Sequence, residues 1–289
     1  MSTSHDDIDI SIFDDVTSLD WHARRLAQGL LLGSHRSQKL GSGLEFNQYR
    51  AYTQGDDLRL LDWKMYAKTG KYFVRQSTID SNQHLHVTLD DSRSMDYREK
   101  GYSKFQLAKL ITAALTYVIT QQQDNCSWQS GLQLLPKGHG LKHWRRSLLE
   151  LSALSTSVTE HANAIKNNYR GMQVWITDLY LDLKDLDQYL DTISGPKREV
   201  VVMHIIGRDE ENLAFSKNTK FVDLESGAEV QVNTQQFAEN YKNAFGDHVH
   251  KTKRLITQKN AIYRKMYLDD DVALTLRDFI VDYNQLSLA

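Results

Sequence analysis

A single cysteine, Cys126, stands in 289 residues, so no disulfide can close within one chain and no CxxC pair is available to hold zinc. That scarcity fits a reducing compartment, and Cys126, in the apolar-leaning run NCSWQ, reads as a core side chain. Only 2 prolines interrupt the chain, which leaves no proline-rich linker and no break between domains. Neither sign of charge dominates, because 35 Lys and Arg against 37 Asp and Glu give a formal net charge of -2. The footprint of a nonspecific nucleic-acid binder is therefore missing, a local basic patch aside, and nucleic acid is not an expected partner. Long apolar runs are missing too, with none near the roughly 20 residues a membrane span needs. The amino-terminal MSTSHDDIDISIFDD lacks the basic and apolar regions of a signal peptide. The expectation is a soluble, cytoplasmic protein with no membrane span.

What is present is alternation. After an acidic, flexible tail (1–15), Val16, Leu19, Trp21, Leu26 and Leu30 mark an amphipathic helix that Gly33 can close. Residues 34–75 are dense in Gly, Asp, Arg and aromatics, with strands expected near 45–52 and 71–76. From residue 81 on, strands at 84–89, 126–135, 172–177 and 199–206 alternate with helices at 103–121, 144–154, 160–168 and 181–193. A hairpin around ESGA, a long helix at 234–258, a short strand at 260–265 and a helix at 272–283 follow. Alternation at this interval predicts an α/β fold with a doubly wound, mostly parallel sheet. The layout is then a tail (1–15), a helix with a small β-rich N-terminal insert (16–80), and the α/β domain with its carboxyl-terminal helices (81–289).

One stretch carries chemistry. In HLHVTLDDSRSM an apolar-alternating strand runs into Asp90, Ser92 and Ser94, spaced as DxSxS. At the carboxyl end of a sheet strand, residues two apart in an extended loop can aim at one place, and a carboxylate with two hydroxyls suits a hard cation that keeps several waters. Mg²⁺ is the first candidate, with Mn²⁺ and Ca²⁺ as alternatives. Asp90 can equally cap the following helix while the serines fill a turn. Asp178, after the buried strand MQVWIT, brings a second acid to the same edge, unless it caps the helix at 181–193. A hydroxyl from the 155–159 break, Thr159 with Thr156 and Ser157 as competitors, completes a hard-metal set, and Thr159 can also be a cap. Asp91 is out of register and faces solvent or a neighbouring loop. His84 and His86 share one side of the strand and read as packed side chains rather than ligands.

The constellation of Asp90, Ser92, Ser94 and Asp178 resembles the von Willebrand factor A domain and its metal-ion-dependent adhesion site (MIDAS). Asp90, Ser92 and Ser94 match the pentad fully, Asp178 matches a later aspartate in the form ITD, and Thr159 is the choice for the loop threonine. The resemblance implies a divalent ion whose open coordination position takes an acidic residue of a protein partner. Ahead of the sheet, residues 41–70 resemble the signature of the DUF58 family, bacterial A-like proteins often encoded beside MoxR-type AAA+ ATPases. GDDxRxxDW is intact as Gly55, Asp56, Asp57, Arg59, Asp62 and Trp63, preceded by Glu45, Phe46, Arg50 and Tyr52 and followed by Ala67 and Gly70. That resemblance implies a non-catalytic adaptor for such an ATPase and its client, and places the chain with the family's short, soluble members. The residues themselves suggest a structural role: Arg50 and Arg59 can pair with Asp56, Asp57 or Asp62, and Trp63 can pack over the sheet edge. A direct site for a partner or nucleotide is the alternative. A phosphoryl hydrolase using Asp90 or Asp91 is a further alternative function, although the DxD acid is replaced by Ser92 after Asp90 and by Arg93 after Asp91; a metal-free interaction scaffold is another. Oligomeric state is not legible.

Overall fold

The computed structural model describes residues 16–33, 46–53, 61–77, 83–122, 124–131, 133–135, 147–148, 150–151, 171–215, 218–224 and 227–286. Helix α1 (Val16–Gly33) buries Leu19, Ala23, Ala27 and Leu30, a stripe at helical spacing. Strand β1 (Phe46–Ala51) and β2 (Phe73–Ser77) pair antiparallel, with the short helix α2 (Trp63–Thr69) between them. No helix is expected there from the pattern. It exists because Asp62 caps its first turn, accepting from the Lys64 and Met65 amides at 2.8 and 3.0 Å, while none of its residues is buried enough to leave an apolar period.

The main sheet is built from β3 (His84–Leu89), β6 (Asn125–Ser130), β7 (Gln133–Leu135), β8 (Gly171–Thr177), β9 (Arg198–Ile206) and β12 (Ile262–Tyr267), in the order β12-β9-β8-β3-β6-β7. Five of these run parallel and β7 pairs antiparallel at the edge. The single strand expected over 126–135 is thus a hairpin. Gly131, at φ 52, makes the turn, and a Cβ there would meet the Asp91 carboxylate at 2.5 Å. Two small hairpins, β4 (Arg98–Glu99) with β5 (Tyr102–Ser103) and β10 (Asn218–Val222) with β11 (Glu229–Asn233), stand apart from the sheet.

Helices cover both faces. On one, α1, α3 (Lys104–Gln121) and α7 (Val272–Leu286) bury Leu85, Val87 and Leu89 of β3 with Met172, Val174 and Ile176 of β8. On the other, α4 (Leu183–Ile193) and α6 (Thr234–Gln258) close over Trp175, Val200 and Val202. The residual short helix, α5 (Arg208–Asn212), follows β9. Burial on both faces is why β8 and β9 read as unbroken apolar runs. Part of β3 departs from that rule: His84 Nε2 and His86 Nδ1 both contact Ser127 Oγ at 2.6 Å, and Gln173 donates to Thr88 at 2.8 Å. The two histidines are packed side chains sharing a hydroxyl, and burial pushes His86 down to about 3. Cys126 is half-buried against the core. The helices expected at 144–154 and 160–168 lie almost wholly outside the described residues.

Candidate functional site

The register of the sheet assembles the site. Leu89 pairs with Ile176, and the Asp90 amide donates to the Ile176 carbonyl at 2.9 Å. Asp90 and Asp178 therefore leave the sheet side by side at the carboxyl ends of adjacent parallel strands, where ligands gather in open α/β sheets. Beyond Asp90 the chain does not stay extended. The Ser92 amide donates to Asp90 Oδ1 at 2.9 Å, and a 3-10 turn over Arg93–Asp96 buries Met95 completely. That turn brings Ser92 Oγ and Ser94 Oγ within 3.0 Å, and Ser94 Oγ donates to Asp178 Oδ1 at 3.3 Å. A tight turn thus converges the hydroxyls that an extended loop was expected to aim.

Both acids are buried, Asp90 at 1% exposure and Asp178 at 8%. Thr177 Oγ1 donates to Asp90 Oδ2 at 2.6 Å and accepts from the Leu179 amide at 2.9 Å. Burial first, and then the charge of Asp178, push the Asp90 carboxyl up to about 6 despite those hydrogen bonds. Asp178 does not cap α4, whose N-cap is Asp182; its Oδ1 instead accepts from the Tyr180 amide at 3.2 Å. Its Oδ2 accepts from Lys104 Nζ at 3.1 Å, and the same ammonium donates to Glu210 Oε1 at 2.8 Å. Burial works against charge on Lys104, but Asp178 and Glu210 outweigh it and hold its pKa above the ordinary lysine value. Behind the site His204, bonded to the Tyr263 hydroxyl at 2.8 Å, is pushed down to about 3 by burial and stays neutral.

The donor set fits a small hard cation. Adjacent ligands around octahedral Mg²⁺ at about 2.1 Å stand about 3.0 Å apart, close to the Ser92–Ser94 and Ser94–Asp178 separations of 3.0 and 3.3 Å. The buried Asp90 carboxylate stands beside that of Asp178 at the same place. Among the described residues no three His, Cys, Asp or Glu side chains gather closely enough to hold a metal by themselves, so hydroxyls and water must complete any coordination.

Of the residues expected from the sequence, Asp90, Ser92, Ser94 and Asp178 come together, and Thr159 lies outside the described residues. Asp91 is buried against the Gly131 turn, which is the neighbouring-loop alternative rather than solvent. From the signature, Gly55, Asp56, Asp57 and Arg59 also lie outside. Arg50 donates to Thr53 Oγ1 at 2.9 Å, Asp62 is the buried cap of α2, and Gly70 closes that helix. Trp63 differs from expectation. It is 62% exposed and meets the edge of Tyr66 instead of packing over the sheet, because α2 buries no face of its own. Thr177, Lys104 and Glu210 were not singled out. Lys104 did leave a signal: a cation at the first position of a strongly apolar helix sits at the wrong pole of the helix dipole.

The strand order, five parallel strands with one antiparallel edge and the pentad at the end of a central strand, is that of a von Willebrand factor A-like domain. The family model described as "Protein of unknown function DUF58" matches residues 48–251. The chain belongs to the DUF58 family. It is 32% identical over 101 residues to the uncharacterized protein Rv1480 of Mycobacterium tuberculosis and, equally, to the uncharacterized protein Mb1516 of Mycobacterium bovis. Those matches cover 35% of this chain and 32% of the relative, so the chain spans about a third of the length of these curated relatives. Among solved structures it is similar to an aerotolerance-related membrane protein of Bacteroides fragilis (TM-score 0.46, 14% identity, 70% of this chain and 98% of that one). It is also similar to the conserved hypothetical protein BatB of Bacteroides thetaiotaomicron (TM-score 0.44, 11% identity, 70% and 99%) and to the SpRpn10 VWA domain (TM-score 0.36, 12% identity, 67% and 93%). No helix among the described residues is long and apolar enough to cross a membrane.

Proposed function

We propose that this chain is a non-catalytic, metal-dependent protein-binding adaptor. Asp90, Ser92, Ser94 and Asp178 would hold the ion, Mg²⁺ first and Mn²⁺ or Ca²⁺ as alternatives, with Thr159 as the loop hydroxyl. When bound, such an ion supplies a hard positive charge that an acidic side chain of a partner can complete. The chain's own part is to present two hydroxyls and two carboxylates at one sheet edge. The observation that carries the reading is the convergence of Ser92 and Ser94 with Asp178 from strand ends far apart in sequence. The partner we propose is a MoxR-type AAA+ ATPase, or the client it acts on, in complex assembly or maturation. Its only support is the family resemblance.

A metal-free scaffold is the second reading, and a specific observation favours it: the Lys104 ammonium already sits on Asp178. The phosphoryl hydrolase reading has less behind it, because both Asp90 oxygens are engaged, by the Ser92 amide and the Thr177 hydroxyl, which is a poor arrangement for an attacking nucleophile. The test is capture of partners from extract of the source cell by the full chain, with Mg²⁺ and with chelator, beside the Asp90→Ala variant. The adaptor reading expects an AAA+ ATPase or its client retained only with Mg²⁺ and wild-type Asp90. Retention indifferent to chelator supports the scaffold, and Mg²⁺-dependent phosphatase turnover lost in Asp90→Ala overturns the non-catalytic assignment.

A further inference from the structure

Lys104 is out of place by every local rule. It opens α3, where the helix dipole repels a cation, and its side chain is only 2% exposed. A lysine survives such a position only when partners compensate it. Asp178 Oδ2 at 3.1 Å, Glu210 Oε1 at 2.8 Å and the face of Tyr97, 5.1 Å from the ammonium, do so. The two oxygens of Asp178 are thereby divided, Oδ1 toward the Ser94 hydroxyl and Oδ2 toward the ammonium. Glu210 is itself fixed, since its Oε2 accepts from the Gly207 amide at 3.0 Å. One ammonium thus ties the start of α3 to the ends of β8 and β9.

We propose that Lys104 is the resident cation of this site: a positioning residue that holds Asp178 toward the Ser92 and Ser94 hydroxyls when no divalent ion is bound, and whose charge keeps affinity for that ion weak. The proposal rests on reading Asp90, Ser92, Ser94 and Asp178 as the ion's ligands. Asp178 and Glu210 both pair with the ammonium, and Asp90 lies beside Asp178, so removing the lysine leaves the full negative charge to an incoming dication. Even at the dielectric of water, a unit and a double charge about 6 Å apart repel enough to shift affinity about tenfold. Folding then assembles the site, and ion binding becomes a reversible event rather than a folding requirement.

The test is a Mn²⁺ titration of the full chain at neutral pH, with free ion read by electron paramagnetic resonance, beside thermal melting in chelator. Lys104→Met should bind Mn²⁺ about tenfold or more tightly than wild type, and it should melt lower in chelator. Glu210→Gln keeps the ammonium and removes a negative charge, so it should bind more weakly than wild type. A lysine that merely supports the fold would weaken binding in both variants. Equal or weaker binding by folded Lys104→Met overturns the proposal. If that variant folds only with Mn²⁺, the proposal is supported; if it folds under neither condition, Lys104→Gln, which can still hydrogen-bond Asp178 and Glu210 but carries no charge, is read in its place, and equal or weaker binding there overturns the proposal. Failure of wild type to bind overturns the metal-site reading instead. In that case acquired binding by Lys104→Met still supports the resident cation, and its absence overturns it.

Discussion

Thr177 carries a burden its position in an apolar strand conceals. Its hydroxyl is fully buried, donates to the Asp90 carboxylate and accepts from the Leu179 amide. Thr177→Val keeps the shape and strips both bonds, so it should cost about 1–3 kcal/mol of unfolding free energy by urea titration. It should also loosen Asp90. Asp90 itself makes stability depend on pH in the metal-free protein. Its folded pKa, pushed up to about 6, lies above the ordinary aspartate value, so the native state keeps a proton that the unfolded chain has released. The stabilisation from this group is full below the unfolded pKa and is lost as pH rises through 6. In chelator, wild type should lose about 2 kcal/mol relative to Asp90→Asn between about pH 4 and pH 7. A pH-independent difference would mean that Asp90 is neither as buried nor as close to a like charge as described.

At the scale of elements, helix α3 sets the site's third side, and its start is specified by a capping box. The Ser103 hydroxyl accepts from the Gln106 amide at 3.2 Å, and the Gln106 side chain accepts from the Ser103 amide at 2.8 Å. Ser103→Ala should lower stability by about 1 kcal/mol and, because Lys104 is the next residue, weaken the hold on Asp178. The junction of β3 and β8 is tighter still. Gly171 has φ 147, and a Cβ there would lie 2.1 Å from the His84 carbonyl oxygen, so Gly171→Ala should cost about 3 kcal/mol or more. Thermal or urea unfolding measures both. Elements of this kind were legible to different degrees. Helix α3 and strands β8 and β9 are plain in the sequence because burial on one or both faces writes a period or an unbroken run. Helix α2 is not, since it buries nothing, and the β6–β7 turn hides in what looks like one strand because Gly131 is its only punctuation. In the site, Asp90, Ser92, Ser94 and Asp178 were legible from spacing and strand ends, whereas Lys104 and Glu210 meet only in the tertiary structure, from helices that follow different strands.

Across the whole molecule charge is balanced, and at the carboxyl edge of the sheet it is also buried. There Asp178 and Glu210 hold Lys104, with Asp90 beside Asp178, while Lys100 and Arg208 pair with Asp269 nearby. The sheet order explains the location, because only the carboxyl ends of parallel strands bring the loops after β3, β8 and β9 together. Fold class was readable from strand and helix alternation and the A-like resemblance from the pentad with Asp178, whereas the antiparallel edge strand β7 had to be seen. The divalent ion proposed for this edge would bind the native state alone. Thermal unfolding of the full chain with increasing Mg²⁺, beside Ser94→Ala, tests it most directly. Binding to the native state should raise the melting temperature saturably, by roughly 2–4 °C for each kcal/mol of linkage, and Ser94→Ala should abolish most of that rise. A wild-type melting temperature unchanged at millimolar Mg²⁺ and Mn²⁺ would contradict it.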